Sequence, residues 1–182
     1  MEYSLIMAGF GGQGIMLMGQ IFAYSAMEIG KFVTWFPSYG PEMRGGTANC
    51  TVVISDEPVV SPIVSEPDCL IIMNLPSLDK FESLLKTGGI LLYNTTLIPK
   101  KPSRSDIKIY PIPANNLAEE AGNIRSANMV MLGALITIKP LIPLEAIENK
   151  VRYFFSENKR EFLDINLKAL IKGKEYIERM ER

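Results

Sequence analysis

The sequence predicts an α/β layered fold with a mostly parallel sheet. Strand-type and helix-type apolar patterns alternate along the chain, a glycine-rich turn separates the first strand from the first helix, and a second glycine-rich loop also follows a strand. In such folds ligands sit beyond the C-terminal ends of the strands, so both loops are expected on that edge.

The elements follow in order. Tyr3 to Ala8 (YSLIMA) is a short apolar run ending at glycines, hence a strand. Ile15 to Ile29 places Met16, Ile21, Phe22, Ala26 and Ile29 at helical spacing and stops at Gly30. Phe32 to Phe36 (FVTWF) is β-branched and aromatic, a second strand. SYGPEMRGG is a loop, and Ala48 to Ser55 a third strand. Only a loop joins strands two and three, which admits one antiparallel strand. Pro58 to Pro67 is a connection broken by prolines.

Cys69 to Met73 reads as a buried strand and Ser77 to Leu85 as a short helix, with Asp79 near its N-terminus where a carboxylate suits the helix dipole. Gly88-Gly89 turns into a strand at Ile90 to Asn94. After the polar loop Lys100 to Ser105 comes a strand, Ile107 to Pro111, then a short helix, Ala114 to Ala121. Met129 to Ile138 is a buried helix, and amphipathic helices at Leu144–Phe155 and Glu161–Glu181 close the chain.

Composition narrows the function. With 182 residues, 47% hydrophobic content and a net charge of −1, the chain reads as one domain, 1–182, with a proper core. The charge balance and the lack of a basic run argue against a nucleic-acid partner. No apolar stretch reaches the ~18 residues of a membrane span. MEYSLIMAGF carries no basic leader, so the expected location is cytoplasmic. There is no histidine, which removes histidine triads, bases and metal ligands from this chain. Two cysteines, Cys50 and Cys69, are too few for an iron–sulfur cluster and lie in apolar runs as buried thiols do.

The turn AGFGGQG carries the first functional signal. Gly9, Gly11 and Gly14 fit G-x-G-x-x-G, with Gly12 as an additional glycine. Glycine permits positive φ and close backbone approach, and the following helix offers N–H groups to an anion. A dinucleotide site also needs an acid at the end of the second strand. The nearest is Glu42, inside a Pro/Gly loop, so NAD is disfavoured; a P-loop is excluded by the missing Gly-Lys-Ser/Thr. Two readings remain: an anion site, or a turn that lets the helix pack on the strand. In the second loop, Arg44 stands beside Gly45 and Gly46. It is placed to clamp a carboxylate or phosphate, or else to pair with Glu42 or water.

GFGGQGI, then SYGPEMRGGTANC, then NMVMLGA at 128–134, in that order, resemble the gamma subunit (gamma domain) of the 2-oxoacid:ferredoxin oxidoreductases. The resemblance covers essentially the whole chain and extends to Asn166, Ala169 and Gly173, which match an N-x-x-A-x-x-x-G ending. It implies a Rossmann-like three-layer sandwich with C-terminal helices. It implies an enzyme that converts a 2-oxoacid and coenzyme A to acyl-CoA and carbon dioxide and passes electrons to ferredoxin. Thiamine diphosphate and iron–sulfur clusters would sit on alpha, beta and delta partner subunits of a hetero-oligomer, and coenzyme A against the gamma part.

No thiamine diphosphate signature occurs here, and Asn115-Asn116 reads as a helix start. The chain alone is therefore expected to be inactive. The resemblance implies coenzyme A contacts from Gly9, Gly11, Gly12, Gln13, Gly14, Arg44, Gly45, Gly46 and Asn128. The glycine loop could instead support a subunit contact, and Asn128 could instead cap the Met129 helix. SYGPEMRGGTANC is closer to the 2-oxoglutarate and 2-oxoisovalerate forms than to the pyruvate form. The other functional class left open is a stand-alone nucleotide- or acyl-CoA-binding protein. Trp35, Phe36 and Tyr39, and the ten methionines, read as core or as a subunit interface.

Overall fold

The computed structural model describes residues 1–38, 47–156 and 160–182. Six strands form one sheet: β1 (Glu2–Phe10), β2 (Phe32–Ser38), β3 (Thr47–Ser55), β4 (Cys69–Ile72), β5 (Ile90–Asn94) and β6 (Lys108–Ile112). The helices are α1 (Ile15–Glu28), α2 (Leu75–Phe81), α3 (Ala114–Ala121), α4 (Ala127–Ile138), α5 (Leu144–Phe154) and α6 (Arg160–Met180).

The strand order is β2-β3-β1-β4-β5-β6. β3 is antiparallel to both neighbours, while β1, β4, β5 and β6 pair in parallel. Since β1 and β2 each oppose β3, they run the same way, and β3 alone is reversed. The cause is the one the sequence offered: a short loop can only return the chain antiparallel, whereas the parallel connections pass through longer crossovers.

Alternation along the strands serves two layers. Leu5 and Met7 of β1, Cys50 and Val52 of β3, Ile71 of β4 and Leu92 of β5 face a core shared with α1, α3, α4, α5 and α6. Ile6 and Ala8, Leu70 and Ile72, and Leu91 and Tyr93 face the opposite core, closed by Leu78 and Phe81 of α2 with Leu85 and Ile98. Helices therefore lie on both faces of the sheet, the expected three-layer sandwich.

The N-x-x-A-x-x-x-G ending acquires a physical meaning in α6. Asn166, Ala169 and Gly173 are all among its buried residues. A Cβ at Gly173 would lie 1.9 Å from the Val130 carbonyl oxygen of α4, and one at Gly133 of α4 would lie 1.9 Å from that of Leu170. Backbone-to-backbone contact on both sides draws α4 and α6 together.

Three local expectations are corrected. α2 begins at Leu75 rather than Ser77, because Asn74 caps it by accepting from Ser77 N at 3.0 Å and Pro76 suits a first turn. Asp79 thus lies in the second half of α2 and pairs with Lys100 at 2.7 Å instead of meeting the dipole. The helix also ends earlier, the chain continuing as a 3-10 turn at Glu82–Leu84. The third correction concerns Asn128, which is not an N-cap: α4 starts at Ala127, after a 3-10 turn over Ile124–Ser126, with Ser126 at the cap position.

Candidate functional site

β1 leads into α1 on one face of the sheet, while the adjacent β4 leads into α2 on the other. The chain diverges at the C-terminal ends of these two strands, and such a point opens a crevice. A cleft of about 180 Å³ lies there, lined by Gly12, Gln13, Met73, Asn115, Ile124, Arg125 and Ala127.

The glycine turn forms one wall. Gly12 has φ +91° and open space around it, and Gly14 has φ +71° as the N-cap of α1. Glycine alone adopts these conformations at little cost. No side chain caps α1, so the N–H groups of its first turn, where a helix carries partial positive charge, are left for other acceptors.

Gln13 holds the turn together. Its Oε1 accepts from Phe10 N at 2.6 Å, its Nε2 donates to the Met73 carbonyl at 3.3 Å, and its own N–H donates to the Phe10 carbonyl at 3.3 Å. The side chain thereby ties the end of β1 to the end of β4. Gly9 makes room for it: a Cβ there would meet Gln13 Oε1 at 2.4 Å and Met73 Cβ at 2.8 Å. Asn128 supports the turn from α4, donating to the Gly14 carbonyl at 3.2 Å and accepting from Met129 N at 2.9 Å.

The opposite walls come from residues that the sequence did not assign to the site. Asn94, fully buried at the end of β5, donates to Asn115 Oδ1 at 2.7 Å and accepts from Ala114 N at 3.1 Å. It fixes the start of α3 and the orientation of Asn115. Asn123 Oδ1 accepts from Arg125 N at 2.9 Å and shapes the 3-10 turn that presents Arg125. Arg125 is the one charged residue lining the cleft among the described residues.

Of the residues expected at the site, Gly12 and Gln13 line the cleft, and Gly14 and Asn128 meet in a hydrogen bond beside it. Gly11 is exposed on the turn, while Gly9 is a packing position within β1. Arg44, Gly45 and Gly46, with Glu42 and Tyr39, lie outside the described residues. The strands flanking that loop are registered, however: Ser38 pairs with Asn49, and Thr47 with Phe10, the residue that opens the glycine turn. Asn115-Asn116 does start a helix.

The fold adds a reason against a dinucleotide. β3 separates β2 from β1, so the end of β2 stands two strand spacings, roughly 10 Å, from the glycine turn. Metal chemistry finds no cluster of three or more potential ligands among the described residues. Both thiols are buried. Burial pushes each up to about 12, with the Trp35 indole partly offsetting this at Cys50 and the Tyr3 hydroxyl at Cys69. Among the described residues, no helix is long and apolar enough to cross a membrane.

Residues 4–176 match the family described as pyruvate ferredoxin/flavodoxin oxidoreductase. The ketoisovalerate oxidoreductase subunit VorA of Methanothermobacter marburgensis is 40% identical over 96% of this chain, which spans only 36% of that relative's length. Among solved structures, the gamma subunit of a keto/oxoacid ferredoxin oxidoreductase from Geobacter sulfurreducens is 32% identical with a TM-score of 0.84, covering 97% of this chain and 99% of its own. A 2-oxoglutarate:ferredoxin oxidoreductase from Magnetococcus marinus, solved with 2-oxoglutarate, coenzyme A and succinyl-CoA, is 27% identical with a TM-score of 0.88. It covers 98% of this chain and 31% of its own.

Proposed function

The chain belongs to the pyruvate ferredoxin/flavodoxin oxidoreductase family, and from that premise we propose that it is the gamma component of a 2-oxoacid:ferredoxin oxidoreductase. The assembled enzyme converts a 2-oxoacid, coenzyme A and oxidised ferredoxin to acyl-CoA, carbon dioxide and reduced ferredoxin. Its substrate is of the 2-oxoglutarate or 2-oxoisovalerate type. The observation that carries this reading is the near end-to-end likeness to a solved gamma subunit.

On this reading, thiamine diphosphate and iron–sulfur clusters belong to the alpha, beta and delta partners and supply decarboxylation and electron transfer there. This chain contributes to assembly and to holding coenzyme A. The Gln13 side chain is engaged within the turn, so the anion is met by the backbone of Gly11 and Gly12 and by the first turn of α1. Gly9 and Asn128 act from behind by keeping the turn in shape. Arg44, with Gly45 and Gly46, is the proposed clamp on an anionic group of coenzyme A, and the strand that follows this segment begins at Thr47, which pairs with Phe10. The complex works in the cytoplasm.

The test is to tag the chain and recover it from its native cells, then score co-purifying thiamine diphosphate and iron–sulfur protein together with coenzyme A-dependent dye reduction on each 2-oxoacid. The expected result is activity with a branched-chain 2-oxoacid or 2-oxoglutarate. A monodisperse chain without redox partners would return the choice to a stand-alone acyl-CoA-binding protein.

A further inference from the structure

We infer that the half of the sheet left open on the α2 side docks a partner subunit whose contact face has an apolar centre and a basic rim; this rests on the subunit reading proposed above. The first observation is an uncovered face. The core closed by α2 draws on β1, β4, β5 and β6 and on no residue of β2 or β3. Val33 and Trp35 of β2 turn to the other core, so Phe32, Thr34 and Phe36 project on the α2 side. Phe32 is 47% exposed there and Phe36 52%. The second observation is the connection from β3 to β4. Val60 is 99% exposed and Ile63 79%, on a segment stiffened by Pro58 and Pro62. No backbone hydrogen bond ties residues 58–66 to another element among the described residues. Bare aliphatic side chains gathered in this way mark an interaction surface. The two features adjoin. Thr34, between Phe32 and Phe36, pairs with Val53, and Val53 lines a recess of about 560 Å³ together with Val60 and Ile63.

Charge selects the occupant. Glu2 and Glu66 line the recess. Asp68 and Lys86 line it as well, but they pair with each other at 3.1 Å and cancel. Exposed Glu57 opens the segment that carries Val60. The rim is therefore anionic around an apolar centre. A second copy of this chain would set Glu2 and Glu66 against their own counterparts across a two-fold axis, and like charges oppose that pairing. A partner protein with lysines or arginines around an apolar contact is attracted instead, and the same charges speed its encounter. The surface lies where β1 and β4 begin, whereas the cleft lies beyond their far ends, so docking here leaves the cleft open.

The experiment titrates the fluorescently labelled full chain with the thiamine diphosphate and iron–sulfur chains that co-purify with it. Wild type is compared with the double variant Val60→Ser/Ile63→Ser, with Glu66→Lys, and with Tyr153→Ser. Tyr153 is the control: it is 69% exposed on α5, which packs on the other side of the sheet. Val60→Ser/Ile63→Ser should raise the Kd at least tenfold. Glu66→Lys should raise it at least fivefold and flatten its dependence on salt. Tyr153→Ser should change it less than twofold. The urea midpoints of all three should match wild type, since these side chains stand in water in the isolated chain. A Kd within twofold of wild type in either Val60→Ser/Ile63→Ser or Glu66→Lys overturns this inference alone. A wild-type chain that is a dimer by itself, and a monomer once Val60 and Ile63 are replaced, overturns it in favour of a second copy. A wild-type chain that recovers no redox partner overturns the functional reading, and this inference with it.

Discussion

Asn128 in α4 donates from its side-chain amide to the Gly14 carbonyl at 3.2 Å, joining residues 114 positions apart. The same carbonyl accepts from Met18 N at 2.9 Å, the first backbone bond of α1. One oxygen therefore starts the helix behind the glycine turn and receives the side chain that braces it.

The two sides of this contact should respond differently to substitution. Gly14→Ala forces an L side chain into φ +71° and places its Cβ 2.3 Å from Asn128 Nδ2. Left-handed strain alone is about 1–2 kcal/mol, so with the clash the loss should be about 3 kcal/mol. Asn128→Ala removes the side chain's two hydrogen bonds, to the Gly14 carbonyl and from Met129 N, and leaves Gly14 bonded to Met18, for a loss of about 1–2 kcal/mol. The double variant should lose less than the sum, because Asn128→Ala makes room for the new methyl. Urea unfolding of the four proteins measures this, and strict additivity would refute the contact.

A second pair of glycines separates close approach from backbone conformation. Gly133→Ala and Gly173→Ala each drive a methyl into a carbonyl of the facing helix, at 1.9 Å from Leu170 O and Val130 O. Backbone cannot rotate aside as a side chain can, so α4 and α6 must separate, at about 3 kcal/mol each. Gly30→Ala is the control. Its φ is +81° but nothing stands within 4 Å, so it should cost only about 1 kcal/mol. Comparable losses at Gly30 and Gly173 would show that the helices do not meet as described.

Much of this architecture was legible in the sequence because it is encoded locally. Short apolar and β-branched runs marked the strands, Gly30 marked the end of α1, and the loop-only connection after β2 allowed for the reversed β3. Long-range partners were not legible. Asn128 looks like a cap because it precedes an apolar run, but Ala127 already belongs to the helix and the amide finds Gly14 across the fold. Gln13 beside glycines reads as a ligand contact, whereas the end of β4 comes close enough to engage it inwardly. Arg125 and Asn94 have no periodic signal; only the strand order brings their loops to the same edge as the glycine turn. Gly133 and Gly173 sit in ordinary amphipathic or apolar runs, and their need for a bare Cα appears only when two helices cross.

The thiols test the assignment of both cysteines to the core. Each is fully buried, with its thiol pushed up to about 12. At pH 8 the reactive thiolate is then a very small fraction, and access is blocked as well. Native protein should leave Cys50 and Cys69 unmodified by a disulfide reagent over minutes, and both should react at once in guanidinium. Rapid reaction of either in the native state would place it at the surface.

Asp68 provides a pH test at the opposite end of the sheet from the cleft. It precedes β4 and accepts from both the N–H and the hydroxyl of Ser4 at 3.0 Å, with Lys86 at 3.1 Å. Burial by itself would raise this carboxyl, but the Ser4 N–H, Lys86 and the Ser4 hydroxyl together outweigh it and hold it below its ordinary value. A depressed acid contributes stability that is complete above the unfolded carboxylate range and is lost as the pH falls through the folded value. Asp68→Asn should therefore lose about 1–2 kcal/mol at pH 7, where the charged hydrogen bonds are intact. The gap to wild type should close progressively below pH ~4. Urea midpoints from pH 7 down to pH 3 measure it, and a constant gap would mean that the carboxylate's charge contributes nothing. Because Ser4 and Asp68 meet where β1 and β4 begin, whereas Gly12 and Met73 follow their far ends, the KM for coenzyme A should not move in Asp68→Asn.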